Sequence, residues 1–256
     1  MRLFKSIVII VGFLFFFVLG GFIALFIISP QTVSLIYLFY NPLSPVNYEA
    51  INTVPQDYII SQPPKNYQYK GSYQIANLTV KMPWETTIEH ESTNSARLRI
   101  FDNDTLIVEK VMSEYPGISN LSNQNSVELY EKMFGKNPTP YTHTDIILSA
   151  TLDDMSLSDD FEISKVKQIK LILKKLVVSA LPDKLTIYRF KINQVKGFML
   201  YGVNKYAGEA DKKLYNIMIF DPEDSQYSII ILSDNVTQEE IDYLLSSLQI
   251  STQIDK

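Results

Sequence analysis

The sequence predicts an α+β architecture: an antiparallel β-sheet with helices packed on it, preceded by one N-terminal transmembrane helix. Three observations carry this. Residues 7–28 form an apolar run without one charge or amide side chain. Beyond it the patterning reads strands, then helices, then strands and a final helix, an order that sets helices against an antiparallel sheet. The turns between the last four strands are short, whereas a parallel crossover takes about a dozen residues or more.

The run "IVIIVGFLFFFVLGGFIALFII" is 22 residues long, and 18 of them are Ile, Val, Leu or Phe. A helix of that length spans roughly 33 Å, against about 30 Å of hydrocarbon. A removable signal has an apolar region of only about 7–15 residues before a small-residue cleavage site. Here apolar sequence continues past Gly20-Gly21 to Ile28, so the run is expected to stay as an anchor. Arg2 and Lys5 precede it and no Lys or Arg follows until Lys65, which places the N-terminus in the cytoplasm and the rest of the chain outside that membrane. The expected location is the cell membrane, single-pass, with the outer domain periplasmic if the cell is Gram-negative.

Three regions follow. Residues 1–30 are the cytoplasmic tip and anchor. Residues 31–70 are a membrane-proximal segment and a Pro/Tyr-rich linker, and residues 71–256 are the extracytoplasmic α+β domain. Residues 33–40 are apolar but too short to cross, and suit either the headgroup layer or a continuation of the anchor helix. Residues 41–70 hold five prolines and four tyrosines. Such a segment resists helix and favours extended chain, a tether of which part can lie along the domain as edge strand.

In the domain, "YQIANLTVKM" alternates as a strand with Ile75, Leu78 and Val80 facing inward, and ends at Pro83-Trp84. "TTIEHES" is a strand. "ARLRIFDNDTLIVEKV" carries Asp102-Asn103-Asp104 between two β-rich runs, a hairpin signal. "VELYEKMF" is a helix that Ser126 can cap and Gly135 stops, and "THTDIILSATL" is a shorter one. The strongest helix spans 161–180, with Val166, Ile169, Leu173, Leu176, Val177 and Ala180 on one face. Acids at its start and lysines near its end complement its dipole. "KLTIYRFKIN", "GFMLYGVNKYA", "KLYNIMIFDP" and "QYSIIILSD" are four strands. A last helix has Thr237 and Glu240 as a capping box and Ile241, Leu244, Leu245 and Leu248 as its buried stripe.

With "LTVKMPWE" early and "EEIDYLLSSLQI" last, the domain resembles the PsbP-like α+β family. The shared features are the corner at Met82-Pro83-Trp84 and the Ser247-Leu248 ending, across residues 73–250. The resemblance implies a non-catalytic module that assists assembly or binds partners, and it carries over no functional residue.

Composition narrows the function. Beyond the anchor the chain carries 21 basic and 28 acidic side chains, a net −7. This argues against nucleic acid, which needs a basic face, and against tight electrostatic docking on anionic lipid. The absence of cysteine removes disulfides, thiolate metal sites and thiol catalysis. His90 and His143 have no second imidazole at metal-binding spacing. "DDMSLSDDFE" lacks the Gly and Glu of a calcium loop. No cofactor or metal is expected. Ser164-x-x-Lys167 and Ser233-Asp234-Asn235 mimic two of the three motifs of penicillin-recognising enzymes, but the Lys-Thr-Gly strand is missing. A hydrolase using Ser164 and Lys167 is thus the alternative. The favoured expectation is a binding or assembly module meeting an envelope protein, with Lys167, Lys170 and Lys174, one face of the long helix, as the partner-binding stripe.

Overall fold

The computed structural model describes residues 48–101, 104–111, 124–156, 159–178, 185–204, 212–222 and 225–251. The predicted membrane span and residues 33–40 lie outside them. Among the described residues no helix is long and apolar enough to cross a membrane.

The strands are β1 (Gln56–Asp57), β2 (Gly71–Ile75), β3 (Leu78–Met82), β4 (Thr87–Glu91), β5 (Ser95–Phe101), β6 (Asp104–Val111), β7 (Leu185–Ile192), β8 (Val195–Asn204), β9 (Lys212–Phe220), β10 (Gln226–Ser233) and β11 (Gln249–Ile250). The helices are α1 (Tyr48–Asn52), α2 (Gln124–Phe134), α3 (Pro140–Leu148), α4 (Phe161–Val178) and α5 (Gln238–Ser246), with a 3₁₀ turn at Leu152–Asp154. The fold is α+β. One eight-stranded sheet runs β1-β7-β8-β9-β10-β6-β5-β4, and a three-stranded one runs β11-β3-β2.

The large sheet consists of two antiparallel meanders, β7 to β10 and β4 to β6, joined where β10 pairs antiparallel with β6. Both of its faces are covered, because successive strand residues point to opposite sides. In β8, Phe198 and Leu200 meet Leu171 and Val178 of α4, while Met199 and Tyr201 face the core that holds the small sheet and α5. The result is three layers: α1 to α4, the large sheet, and α5 with the small sheet.

The segment read as one strand over 73–82 is a hairpin. β2 and β3 pair antiparallel, and Ala76 takes a positive φ of 46° in the turn. Ile75 and Leu78 both point inward. Their spacing of three cannot do that in one straight strand, so the chain reverses between them. α2 begins at Gln124, which places Ser126 inside its first turn rather than at its cap. Gly135 does end this helix, at φ 84°. The Asp102-Asn103-Asp104 hairpin is present as the β5–β6 pair, with 102–103 outside the described residues.

The Pro/Tyr-rich segment lies along the domain from Tyr48 onward, and it is not extended throughout: Tyr48–Asn52, in the proline-free interval between Pro45 and Pro55, forms α1 where helix was not expected. Ala50 and Ile51 of α1 are buried between α4 and β7. β1 adds a short parallel strand to β7. The chain then reaches α5, where Asp242 accepts hydrogen bonds from the Tyr58 hydroxyl and, at 3.2 Å, from Ser61 N–H. Tyr69 donates to the Tyr243 carbonyl at 3.0 Å, and Tyr67 packs edge-on against the Tyr243 ring. Each tyrosine brings a wide apolar ring and one polar tip that finds a partner.

α5 forms as its sequence specifies. Thr237 and Glu240 make the reciprocal capping box, and Ile241, Leu244, Leu245 and Leu248 are fully buried. Ser247 fastens the end of the helix to β3. Its hydroxyl accepts from Lys81 N–H at 2.9 Å and lies 2.8 Å from the Lys81 carbonyl. Met82 and Trp84 of the Met-Pro-Trp corner are buried in the same core.

Candidate functional site

A cleft of about 400 Å³ opens between α3, the Leu152–Asp154 turn and α4, lined by Ile146, Ser149, Thr151, Asp154, Lys167 and Lys170 among others. Local chemistry builds each wall. Thr139 caps α3, accepting from Thr142 N–H, with Pro140 at the first helical position. Thr151 and Asp154 form a capping box around the 3₁₀ turn. Leu152 N–H donates to Asn52 Oδ1 at 2.9 Å, which ties that turn to α1. At the start of α4, Asp160 accepts from Ile163 N–H at 2.8 Å.

The three lysines of the α4 stripe separate into three environments. Lys167 donates to Asp159 at 2.7 Å, and that hydrogen bond holds the Asp159 carboxyl below its ordinary range. Lys170 is half-buried on the cleft wall. Burial lowers its pKa, and the nearby Asp154 carboxylate offsets part of that. Among the described residues it is shown with no hydrogen-bond acceptor. Lys174 is 0% exposed, and its ammonium donates to the carbonyls of Thr53 at 2.8 Å and Ala150 at 2.6 Å. It is therefore a clasp joining α1, α4 and the segment after α3, and no part of a surface stripe.

The reason is how α4 packs. Periodicity marked one apolar face, with Val166, Ile169, Leu173 and Val177, and these do meet α2 and α3. Leu171 and Val178 form a second buried side against the sheet. A helix covered on two sides leaves a narrow solvent arc, and Lys174 falls outside it. The signal in the sequence was weak: Leu171 and Val178 are apolar but sit off the main stripe.

Burial pushes the Lys174 ammonium down to about 8 from the ordinary 10.5. Between those values the unfolded chain binds more protons than the folded one, so this group makes stability rise with pH across that window, by up to about 3 kcal/mol. Its cost is fully present below pH about 8. Lys174→Met is expected to flatten the rise between pH 8 and 10, read from urea unfolding at each pH. An identical pH profile in the variant would show that the ammonium is not held as described. Above pH 10 the raised hydroxyls of Tyr73 and Tyr243, both pushed up to about 12, oppose the trend.

The other sequence candidates are dispersed. Ser164 is buried in α4 and accepts from Gln168 at 3.3 Å. Ser233 ends β10 on the opposite face of the large sheet. Its hydroxyl donates to Asp104 at 2.6 Å and accepts from Asn235 and Val236 N–H, each at 3.0 Å. The two serines of the hydrolase alternative are thus not brought together. His143 packs against Phe134, ring centroids 4.0 Å apart, and burial pushes its pKa down to about 4. His90 lies in the exposed edge strand β4. Among the described residues no group of His, Cys, Asp and Glu could hold a metal ion. No protein-family model matches the chain, and no curated protein is similar to it in sequence.

Proposed function

We propose that the protein is a single-pass, membrane-anchored binding or assembly module, non-catalytic, that takes an envelope protein partner at the cleft between α3 and α4. The N-terminus is cytoplasmic and the α+β domain lies on the outer side. One observation carries the choice of cleft: Lys170 is held half-buried on its wall with no acceptor shown among the described residues. A partially desolvated cation gains more from an incoming carboxylate than an exposed one does, because the local dielectric is lower. Lys167 is a second cation on the same wall, already partnered by Asp159. The remoteness of Ser164 from Ser233 supports a non-catalytic reading. So does the PsbP-like resemblance of the Met-Pro-Trp corner and the Ser-Leu ending.

Crosslinking in the native membrane tests this. Wild-type protein is expected to retain a reproducible envelope partner, with recovery reduced severalfold by Lys170→Glu and less by Lys167→Glu. Equal recovery in both variants would move the partner site elsewhere. Turnover of an acyl or β-lactam substrate, lost on Ser164→Ala, would overturn the reading as a whole. Carbonate extraction and protease treatment of spheroplasts check the anchor. The chain is expected to stay in the membrane fraction, with its C-terminal domain degraded from outside.

A further inference from the structure

We infer that the cleft between α3 and α4 takes a peptide chain end, with its terminal carboxylate on Lys170 and its last amide N–H on Asp154. The assignment rests on the cleft being the partner site, as proposed above. Its basis is an ion pair left open. Lys170 and Asp154 both line the cleft, and the Asp154 carboxylate acts on the Lys170 ammonium, yet no ion pair joins the two among the described residues. The walls that carry them are fixed in place. Asp154 belongs to the capping box of the 3₁₀ turn, where its Oδ2 accepts from Thr151 N–H at 2.8 Å. One turn beyond Lys170, Lys174 fastens α4 to the carbonyl of Ala150, itself on the cleft wall.

Charge narrows the ligand. Lys167 is already paired with Asp159 at 2.7 Å, which leaves one positive and one negative group facing the cleft. A simple anion gains at Lys170 and loses at Asp154. A ligand with an acceptor and a donor close together satisfies both, through charge-assisted hydrogen bonds that are stronger than neutral ones. A peptide chain end has this chemistry, because its carboxylate and its last N–H sit on one Cα. Size agrees. The cleft, about 400 Å³, is at the small end of ligand sites. One turn of helix, about 10 Å across and about 5.4 Å long, would fill it, so it admits a few extended residues and not a docking helix. Ile146 and Ala150 offer the last side chain an apolar wall.

Full-length protein in detergent is titrated with N-acetyl-alanylalanine, with its C-terminal carboxamide and with butyrate, and saturation-transfer NMR reads each. The free acid is expected to bind about tenfold or more tighter than the carboxamide, and Lys170→Met is expected to remove that preference. Asp154→Asn keeps a side-chain oxygen for the Thr151 N–H and removes the charge. It is expected to weaken the dipeptide severalfold and to tighten butyrate. Equal binding of acid and carboxamide by the wild type, which needs no variant to fold, overturns the inference, as does a preference that survives Lys170→Met. Benzoylphenylalanine in place of Ser149, irradiated in native membranes, separates the sources. Adducts at the C-terminus of an envelope protein assign the chain end to that partner, and adducts with a free peptide assign it there. An adduct to an internal segment of a partner overturns the chain end and leaves the cleft standing. No dipeptide bound, with partner recovery still reduced by Lys170→Glu, does the same. No dipeptide bound and recovery indifferent to Lys170→Glu removes the cleft reading and the inference together.

Discussion

A chain ending before Thr237 is expected to lose its cooperative unfolding transition. The truncation removes Ile241, Leu244, Leu245 and Leu248, all fully buried against the large and small sheets. Burying such a side chain contributes roughly 1.5–3 kcal/mol, so the four together approach the whole stability of a domain, about 5–15 kcal/mol. Two further losses follow. Asp242 leaves Tyr58 and Ser61 without the carboxylate that holds the Pro/Tyr-rich segment on the domain. Ser247 leaves the Lys81 N–H of β3 without its acceptor. Circular dichroism melts of residues 48–256 and 48–236 measure the effect, and an unchanged melting transition would show α5 to be peripheral. Leu244→Ala is a graded version that is expected to cost about 2–5 kcal/mol while leaving a folded protein to study.

Gly197→Ala is expected to destabilise the protein more than its size suggests. Gly197 sits in β8 between Phe190 of β7 and Ile219 of β9. A Cβ there would lie 2.1 Å from the Met218 carbonyl oxygen and 2.6 Å from the Phe190 ring. The ring is itself 2% exposed. The first contact is with backbone, so the β8–β9 ladder must part for the methyl group to fit. Overpacking a core by a methyl group costs typically about 1–3 kcal/mol, and a clash with a neighbouring strand belongs at or above the top of that range. At about 2–4 °C per kcal/mol for a domain of this size, the melting temperature should fall by about 6 °C or more. Gly135→Ala is the control. Nothing lies within 4 Å of its added Cβ, and only the left-handed φ of 84° opposes it, a cost of about 1–2 kcal/mol. If the two variants melt alike, the close approach at Gly197 is not the constraint described.

The elements whose signals are local were legible in the residues. α4 and α5 announce themselves by period and by cap, and the last four strands by β-rich runs between short turns. Their antiparallel pairing follows from those turn lengths alone. The β2–β3 hairpin was harder. Ala76-Asn77 is an unremarked pair within a run that alternates well enough to pass for one strand, and only the inward placement of both Ile75 and Leu78 reveals the reversal.

The cleft was legible only in part. Lys167 and Lys170 were visible as a basic pair at helical spacing, and both do line it. The other walls, Ile146, Ser149 and Thr151, carry no pattern that points to a site. Lys174 belongs to the same spacing and yet has the opposite fate, because a lysine's environment is set by what packs on its helix and not by its position along it. The carbonyls that receive its ammonium belong to Thr53 and Ala150, about a hundred residues apart in the chain.

What the sequence determined by itself is thus part of the local menu: the long helices and the last four strands, the capping box of α5, and that the domain is α+β. These follow from short-range physics, namely side-chain periodicity, capping and turn chemistry. The tertiary structure decided the pairing of β10 with β6, the parallel β1 on β7, the second buried side of α4, and the opposite faces on which Ser164 and Ser233 lie. Each of these depends on contacts between residues far apart in sequence, where the free energy comes from burying a shared surface and no local residue pattern records which surface will be shared.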